Sequence, residues 1–125
     1  MNPKPIAAWV LQVLLGLFFL FAGGSKLAGG DETVKGFQEF GYGEGFLFFI
    51  GLTEALGGLA LLFPALSVLA ALGLMAIMVG AAYTHLNHGD SFGATLPAVV
   101  LFLLLGGVAF LRWNSLSHFI PGFKK

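Results

Sequence analysis

FLFFIGLTEALGGLALLF, residues 46–63, is an apolar run with a single ionisable side chain, Glu54, and it stops immediately before Pro64. Its 18 residues would form a helix about 27 Å long, close to the thickness of a bilayer's hydrocarbon core. A surface helix of a soluble protein would carry a broad polar face. The run therefore predicts a transmembrane helix that ends at the proline.

The rest of the chain repeats this pattern. Three further apolar runs cover residues of about 6–27, 66–85 and 94–111, and Pro97 falls in the first turn of the last one, where proline is tolerated. The chain of 125 residues is 58% hydrophobic and 10% charged, against about 25% charge in soluble domains. We predict an all-α, four-helix transmembrane bundle, with residues 1–125 as a single membrane domain. A basic residue before the first run resembles a secretory signal, but the run is too long for one and three spans follow it.

The longest polar segment, residues 28–45, lies between the first two spans. Val34, Phe37 and Phe40 recur in it every three residues. This spacing predicts a short interfacial helix with its aromatic face in the lipid headgroups. The glycines of the segment favour an irregular loop instead, and both alternatives remain open at this point.

Composition excludes several functions. The formal net charge is zero, so we expect no nucleic-acid partner. The absence of cysteine excludes disulfides, thiol redox chemistry and cysteine-ligated iron–sulfur clusters. His85 and His118 fall at opposite membrane faces, so we expect no haem. His88 and Asp90 could join His85 as metal ligands only if the helix continued past Asn87, which Gly89 disfavours, so we expect no metal site.

Basic residues predict the orientation. Four of them flank the spans on the side of the termini: Lys4, Arg112, Lys124 and Lys125. The opposite side carries Lys26 and Lys35, diluted by acidic residues. Because basic residues that flank membrane spans are enriched on the cytoplasmic side, we predict that both termini are cytoplasmic.

Glu54 is the residue that most needs a physical explanation. It lies eight residues into its span, about 12 Å deep at 1.5 Å per residue, and a charge there costs roughly 2.5–3.5 kcal/mol. Its carboxyl group must be paired, protonated or in a wet cavity. Gly51, Ala55 and Gly58 share its helix face, and small residues allow close helix packing. Glu54 is therefore predicted to face the bundle interior.

The first span presents a matching stripe. It consists of Gln12, Gly16, Phe19, Gly23 and Lys26, spaced so that they share one face of a helix. Lys26, at the outer end, either extends to the headgroups or reaches towards Glu54. Because the two residues differ in depth, two arrangements remain open: a direct pair, or a water, His85 or a ligand oxygen between the two charges.

His85 lies at the end of the third span, in a stripe with Met75 and Met78. The topology places it at the same end of the bundle as Lys26, with Glu54 below; the alternative is that His85 only caps its helix. No catalytic residue is assigned. The candidate ligand-binding residues are Lys26, Glu54, His85, Gln12, Phe19 and Met78.

Three segments resemble one known family. Residues 15–27 (LGLFFLFAGGSKL), 50–58 (IGLTEALGG) and 81–86 (AAYTHL) are similar to the first three helices of the DoxX family. The resemblance implies a compact four-helix bundle in the bacterial inner membrane, with Lys26, Glu54 and His85 at the recurring polar positions. It also implies association with quinone-linked redox complexes, and distant relatives act as assembly chaperones.

Two functions remain open. The first is a site for a hydrophobic carbonyl compound, with a quinone as the candidate cofactor, in which Lys26 and His85 donate hydrogen bonds and Glu54 accepts or relays a proton. The second is a non-catalytic subunit or assembly factor that binds a membrane protein or a second copy, with a structural Lys26–Glu54 pair. A small-solute pathway is a lesser alternative. A cavity that reaches Glu54 would favour the first, and a closely packed bundle with an exposed glycine-rich face the second.

Overall fold

The computed structural model describes residues 3–90 and 92–123. Its elements are α1 (Pro3–Ala28), α2 (Asp31–Glu39), α3 (Glu44–Leu61), α4 (Ser67–Asn87), α5 (Phe92–Leu111) and a short 3₁₀ helix (Trp113–His118). Within the described residues, four helices, α1, α3, α4 and α5, are long and apolar enough to cross a membrane. The predicted all-α transmembrane bundle is confirmed. Lys124 and Lys125, which contribute to the predicted orientation, lie outside the described residues.

The helix ends depart from the predicted spans by a few residues, for local reasons. α3 ends at Leu61 rather than at residue 63, because Pro64 disfavours helical geometry in the residue before it. α4 continues to Asn87, two residues further than predicted, and Gly89 then turns the chain with a φ of 81°. The polar segment after α1 is helical, which settles its two alternatives in favour of the short helix α2.

The four spans form a ring in which α1 contacts α3, α3 contacts α4, α4 contacts α5 and α5 contacts α1. The contacts are most extensive between α1 and α3 and between α4 and α5. The bundle therefore consists of two closely associated helix pairs with looser seams between them. Each span runs antiparallel to the span before it, so α1 begins and α5 ends at the same membrane face.

Glycine brings α1 and α3 into backbone contact. A Cβ atom added at Gly23 would lie 2.4 Å from the amide nitrogen of Ala55 and 2.5 Å from the carbonyl oxygen of Gly51. A Cβ atom at Gly58 would lie 2.7 Å from the carbonyl oxygen of Gly16. These distances leave no room for a side chain, so the predicted stripe of small residues is the packing face of this pair.

The α4–α5 pair packs through larger side chains. Val68 of α4 and Leu105 and Val108 of α5 are almost fully buried. On the outside of the bundle the large apolar side chains are exposed, as Phe21 at 76% shows. A bilayer solvates such a surface, which water would not.

The contact at Gly23 generates a stability prediction. We expect Gly23→Ala to lower the thermal stability in detergent by about 1–3 kcal/mol, because overpacking pushes the helices apart. Gly24 is the matched control, because a Cβ atom added there meets no atom within 4 Å. Gly24→Ala should leave stability unchanged or raise it, since alanine favours helix. Equal effects of the two substitutions would contradict the packing of α1 on α3.

Candidate functional site

Lys26 and Glu54 form an ion pair inside the bundle. The Lys26 Nζ atom lies 2.7 Å from the Glu54 Oε1 atom, and the two side chains are 23% and 5% exposed. Of the two arrangements left open by the sequence, the structure has the direct pair. The reason is the register of the two helices: the Lys26 Cβ atom lies beside Gly51, only one turn from Glu54. An extended lysine side chain spans that distance.

Lys26 is the counter-charge that the described part of the chain brings to the Glu54 carboxylate. Oε1 of Glu54 is buried and accepts no aligned hydrogen bond from the described residues, so the ammonium stabilises it through charge. In a low-dielectric interior such an attraction is strong, and removing one partner is costly because the other charge is left buried.

A cavity of about 670 Å³ extends from the ion pair between the two helix pairs. Six polar side chains line it: Lys26, Tyr42, Glu54, Tyr83, Thr84 and His85. The remaining wall is apolar and comes from Phe18, Ala22, Phe37, Phe40, Phe46, Ile50, Ala76, Ile77, Met78, Gly80, Ala81, Ala94, Pro97, Ala98 and Leu101. An apolar cavity of this size with a few convergent polar groups has the character of a small-molecule site.

Aromatic residues of α2 and of the turn after it cover one end of the cavity. The turn closes because Gly41 adopts a φ of 89° and the Tyr42 amide donates to the carbonyl oxygen of Phe37 at 2.8 Å. The Tyr42 hydroxyl lies 2.8 Å from the Thr84 Oγ1 atom on α4. Phe37 and Phe40 therefore line the cavity, and the place of this aromatic face among the headgroups stays a prediction.

His85 is held by an acidic residue. Gly89 turns the chain so that the Asp90 amide donates to the carbonyl oxygen of His85 at 3.0 Å. The Asp90 Oδ2 atom then lies 2.8 Å from the His85 Nδ1 atom. Phe40 packs its ring edge-on against the imidazole, with centroids 5.4 Å apart. Both contacts fix the orientation of the ring at the cavity wall.

The six candidate residues do not all come together. Lys26, Glu54, His85 and Met78 line the cavity. Phe19 is fully buried, and its Cβ atom packs on Gly58 in the contact of α1 with α3.

Gln12 belongs to the opposite end of the bundle. Its Nε2 atom donates to the carbonyl oxygen of Leu61 at 2.8 Å, and its Oε1 atom accepts from Arg112 Nε at 2.8 Å. Gln12 thus donates a hydrogen bond to a carbonyl oxygen at the C-terminal end of α3 and accepts one from Arg112, the residue that follows α5. The antiparallel topology puts positions 12 and 112 at one membrane face, which is the signal that sequence reasoning could have used.

Sequence reasoning also assigned no site role to Tyr42 or Thr84. In the sequence, Tyr42 has the position of an interfacial residue and Thr84 that of a residue near a helix end. Their hydroxyl groups come into contact only because the turn after α2 packs against α4. A contact between residues 42 positions apart leaves no local signal in the sequence.

Lys26 also borders a second cavity, of about 410 Å³, at the level of α2. Its polar wall includes Asp31, Lys35, Gln38 and Glu44. Lys26 therefore lies between this cavity, whose wall includes charged side chains, and the largely apolar cavity within the bundle.

The family of the chain follows from a direct comparison. A model of the DoxX-like family matches residues 10–107, which cover most of each of the four spans and the positions of Lys26, Glu54 and His85. Comparisons with curated proteins and with solved structures found no match. The family match covers well over half of the chain, and the protein belongs to the DoxX-like family of integral membrane proteins.

Proposed function

We propose that this DoxX-like protein binds a hydrophobic ring compound with carbonyl oxygens, a quinone being the best-fitting class, as part of a redox-associated membrane complex. The observation that carries the proposal is the apolar cavity that reaches the Lys26–Glu54 ion pair. A bundle with a purely structural pair would have no need of that space.

The polar groups suit a ligand of this kind. A lysine ammonium has three N–H donors, and one contact to Glu54 leaves donors for a carbonyl oxygen of the ligand. Glu54 balances the charge of Lys26 and can accept a proton. Met78 and the phenylalanines supply an adaptable apolar wall, and a planar ring with an apolar tail can reach the cavity from the bilayer.

We further propose that the protein lies in the bacterial inner membrane with both termini in the cytoplasm. Lys4 and Arg112 flank the bundle at the face of the termini, whereas Lys26 at the other face is neutralised by Glu54. The cavity covered by α2 would then lie towards the outer face.

A non-catalytic role remains the second candidate, because Lys26 contacts Glu54 directly. In that case the pair would hold α1 on α3, and the protein would serve as a membrane subunit or assembly factor for a partner protein. The two candidates differ in what they predict for the cavity and for the pair.

Filling the cavity tests the ligand proposal. Ala22 lines the cavity, so Ala22→Phe should reduce photolabelling by an azido-ubiquinone analogue in lipid nanodiscs by about tenfold, or ~1.4 kcal/mol. Ala7 is exposed on the same helix and provides the control. The Ala7→Phe variant should be photolabelled to the same extent as the unsubstituted protein. Mass spectrometry of the labelled peptides measures both. Equal labelling of the two variants would rule out a ligand in this cavity.

A double-mutant cycle tests the pair. Lys26→Met leaves Glu54 buried without a counter-charge and should lose roughly 3–5 kcal/mol of stability. Glu54→Leu should cost less, because Lys26 is 23% exposed and its side chain can extend to water. The combined variant should recover most of the loss, as thermal unfolding in detergent would show.

The exposed Lys35 provides the control for this cycle, since Lys35→Met should barely change stability. Additive losses at positions 26 and 54 would show that the two charges do not interact. A stable double variant that no longer takes up the photolabel would favour the ligand site over the structural role.

Reporter fusions test the orientation. A reporter that is active only in the cytoplasm should be active when fused after Lys125, because the basic residues at that face resist translocation. Activity of a reporter that works only outside the cytoplasm, fused at the same position, would reverse the orientation.

A further inference from the structure

The hydrogen bond between Asp90 and His85 determines what the imidazole can offer to the cavity. A carboxylate can only accept a hydrogen bond, so the His85 Nδ1 atom, 2.8 Å from Asp90 Oδ2, carries the proton. In the neutral ring the proton is then absent from Nε2. The other nitrogen of His85 is therefore an acceptor rather than a donor.

The two hydroxyl groups beside His85 are already engaged. Thr84 Oγ1 donates to the carbonyl oxygen of Gly80 at 2.8 Å, so Tyr42 must donate its own proton to Thr84 Oγ1, also at 2.8 Å. Neither hydroxyl proton is directed to a ligand. Among the described residues that line the cavity, Lys26 is left as a donor, His85 and the Glu54 carboxylate as acceptors, and the Tyr83 hydroxyl as a group that can do either.

These groups make opposite demands on an occupant. Lys26 only donates, so it requires an acceptor oxygen, whereas neutral His85 requires a hydroxyl proton. A quinone presents acceptor oxygens alone, and a quinol presents hydroxyl groups that both donate and accept. A site built to receive a hydroxyl proton discriminates strongly against an analogue that lacks it.

We propose that Asp90 positions His85 as a hydrogen-bond acceptor and that the cavity consequently selects the reduced, hydroxyl form of its ligand, a quinol, over the quinone. The inference rests on the proposed function and narrows it: a quinone and its quinol are two redox forms of one ligand class, and the inference names the reduced form as the one that binds more tightly in the same cavity. Asp90 acts through His85 and is a positioning residue.

The test compares decylubiquinol, decylubiquinone and the dimethyl ether of the quinol as competitors of the azido-ubiquinone photolabel, under anaerobic conditions. The quinol should compete at least about tenfold better than the other two. In Asp90→Asn the preference should fall to nearly one, because an amide can donate to or accept from Nδ1 and no longer fixes the tautomer. Asp90→Glu should restore part of it, and Asp31→Asn, in the second cavity, should keep it.

Nitrogen NMR of the imidazole, in alkaline buffer and without ligand, reads the tautomer independently. The His85 signals, assigned by their loss in His85→Gln, should show protonated Nδ1 and unprotonated Nε2, and Asp90→Asn should mix the tautomers. Equal competition by quinol and quinone, or a proton on Nε2 in the unsubstituted protein, would overturn this inference alone. Failure of every compound to bind would overturn the ligand proposal and this inference with it.

Discussion

The contact of the α1 backbone with the α3 backbone is the constraint on which the other features depend. Gly23 and Gly51 let the two helices meet without intervening side chains, and this sets their register. The register puts Lys26 one turn from Glu54, so the two charges meet at 2.7 Å. A carboxylate near mid-membrane is then tolerable, because its counter-charge is built into the packing face rather than recruited from the lipid surface.

The cavity follows from the same arrangement. α1 and α3 associate through small residues, whereas α4 and α5 bury larger apolar side chains such as Val68 and Leu105. The contacts within each pair are more extensive than the contacts between the pairs. The cavity between the pairs has the ion pair on one side and the aromatic residues of the α2 turn on another. The charged groups of the ion pair therefore border an otherwise largely apolar cavity.

The sequence predicted well what depends on periodicity. The spans, the inward direction of Glu54 and the glycine stripe of α1 are repeating patterns with one physical interpretation. It predicted poorly what depends on docking. The distance between Lys26 and Glu54 depends on the register of two helices, which no local pattern contains. The partner of Gln12 is 100 positions away at Arg112. The aromatic face of α2 fits a lipid environment as well as it fits a cavity wall.

The Lys26–Glu54 contact can be measured directly in a bilayer. Rotational-echo double-resonance NMR on lipid-reconstituted protein, with isotope labels at lysine Nζ and glutamate Cδ, reports dipolar coupling between the two atoms. The structure predicts a coupling that corresponds to about 4 Å or less for an ion pair in contact, and this coupling should vanish in both Lys26→Met and Glu54→Gln. A coupling that persists unchanged in either variant, or its absence from the unsubstituted protein, would contradict the account.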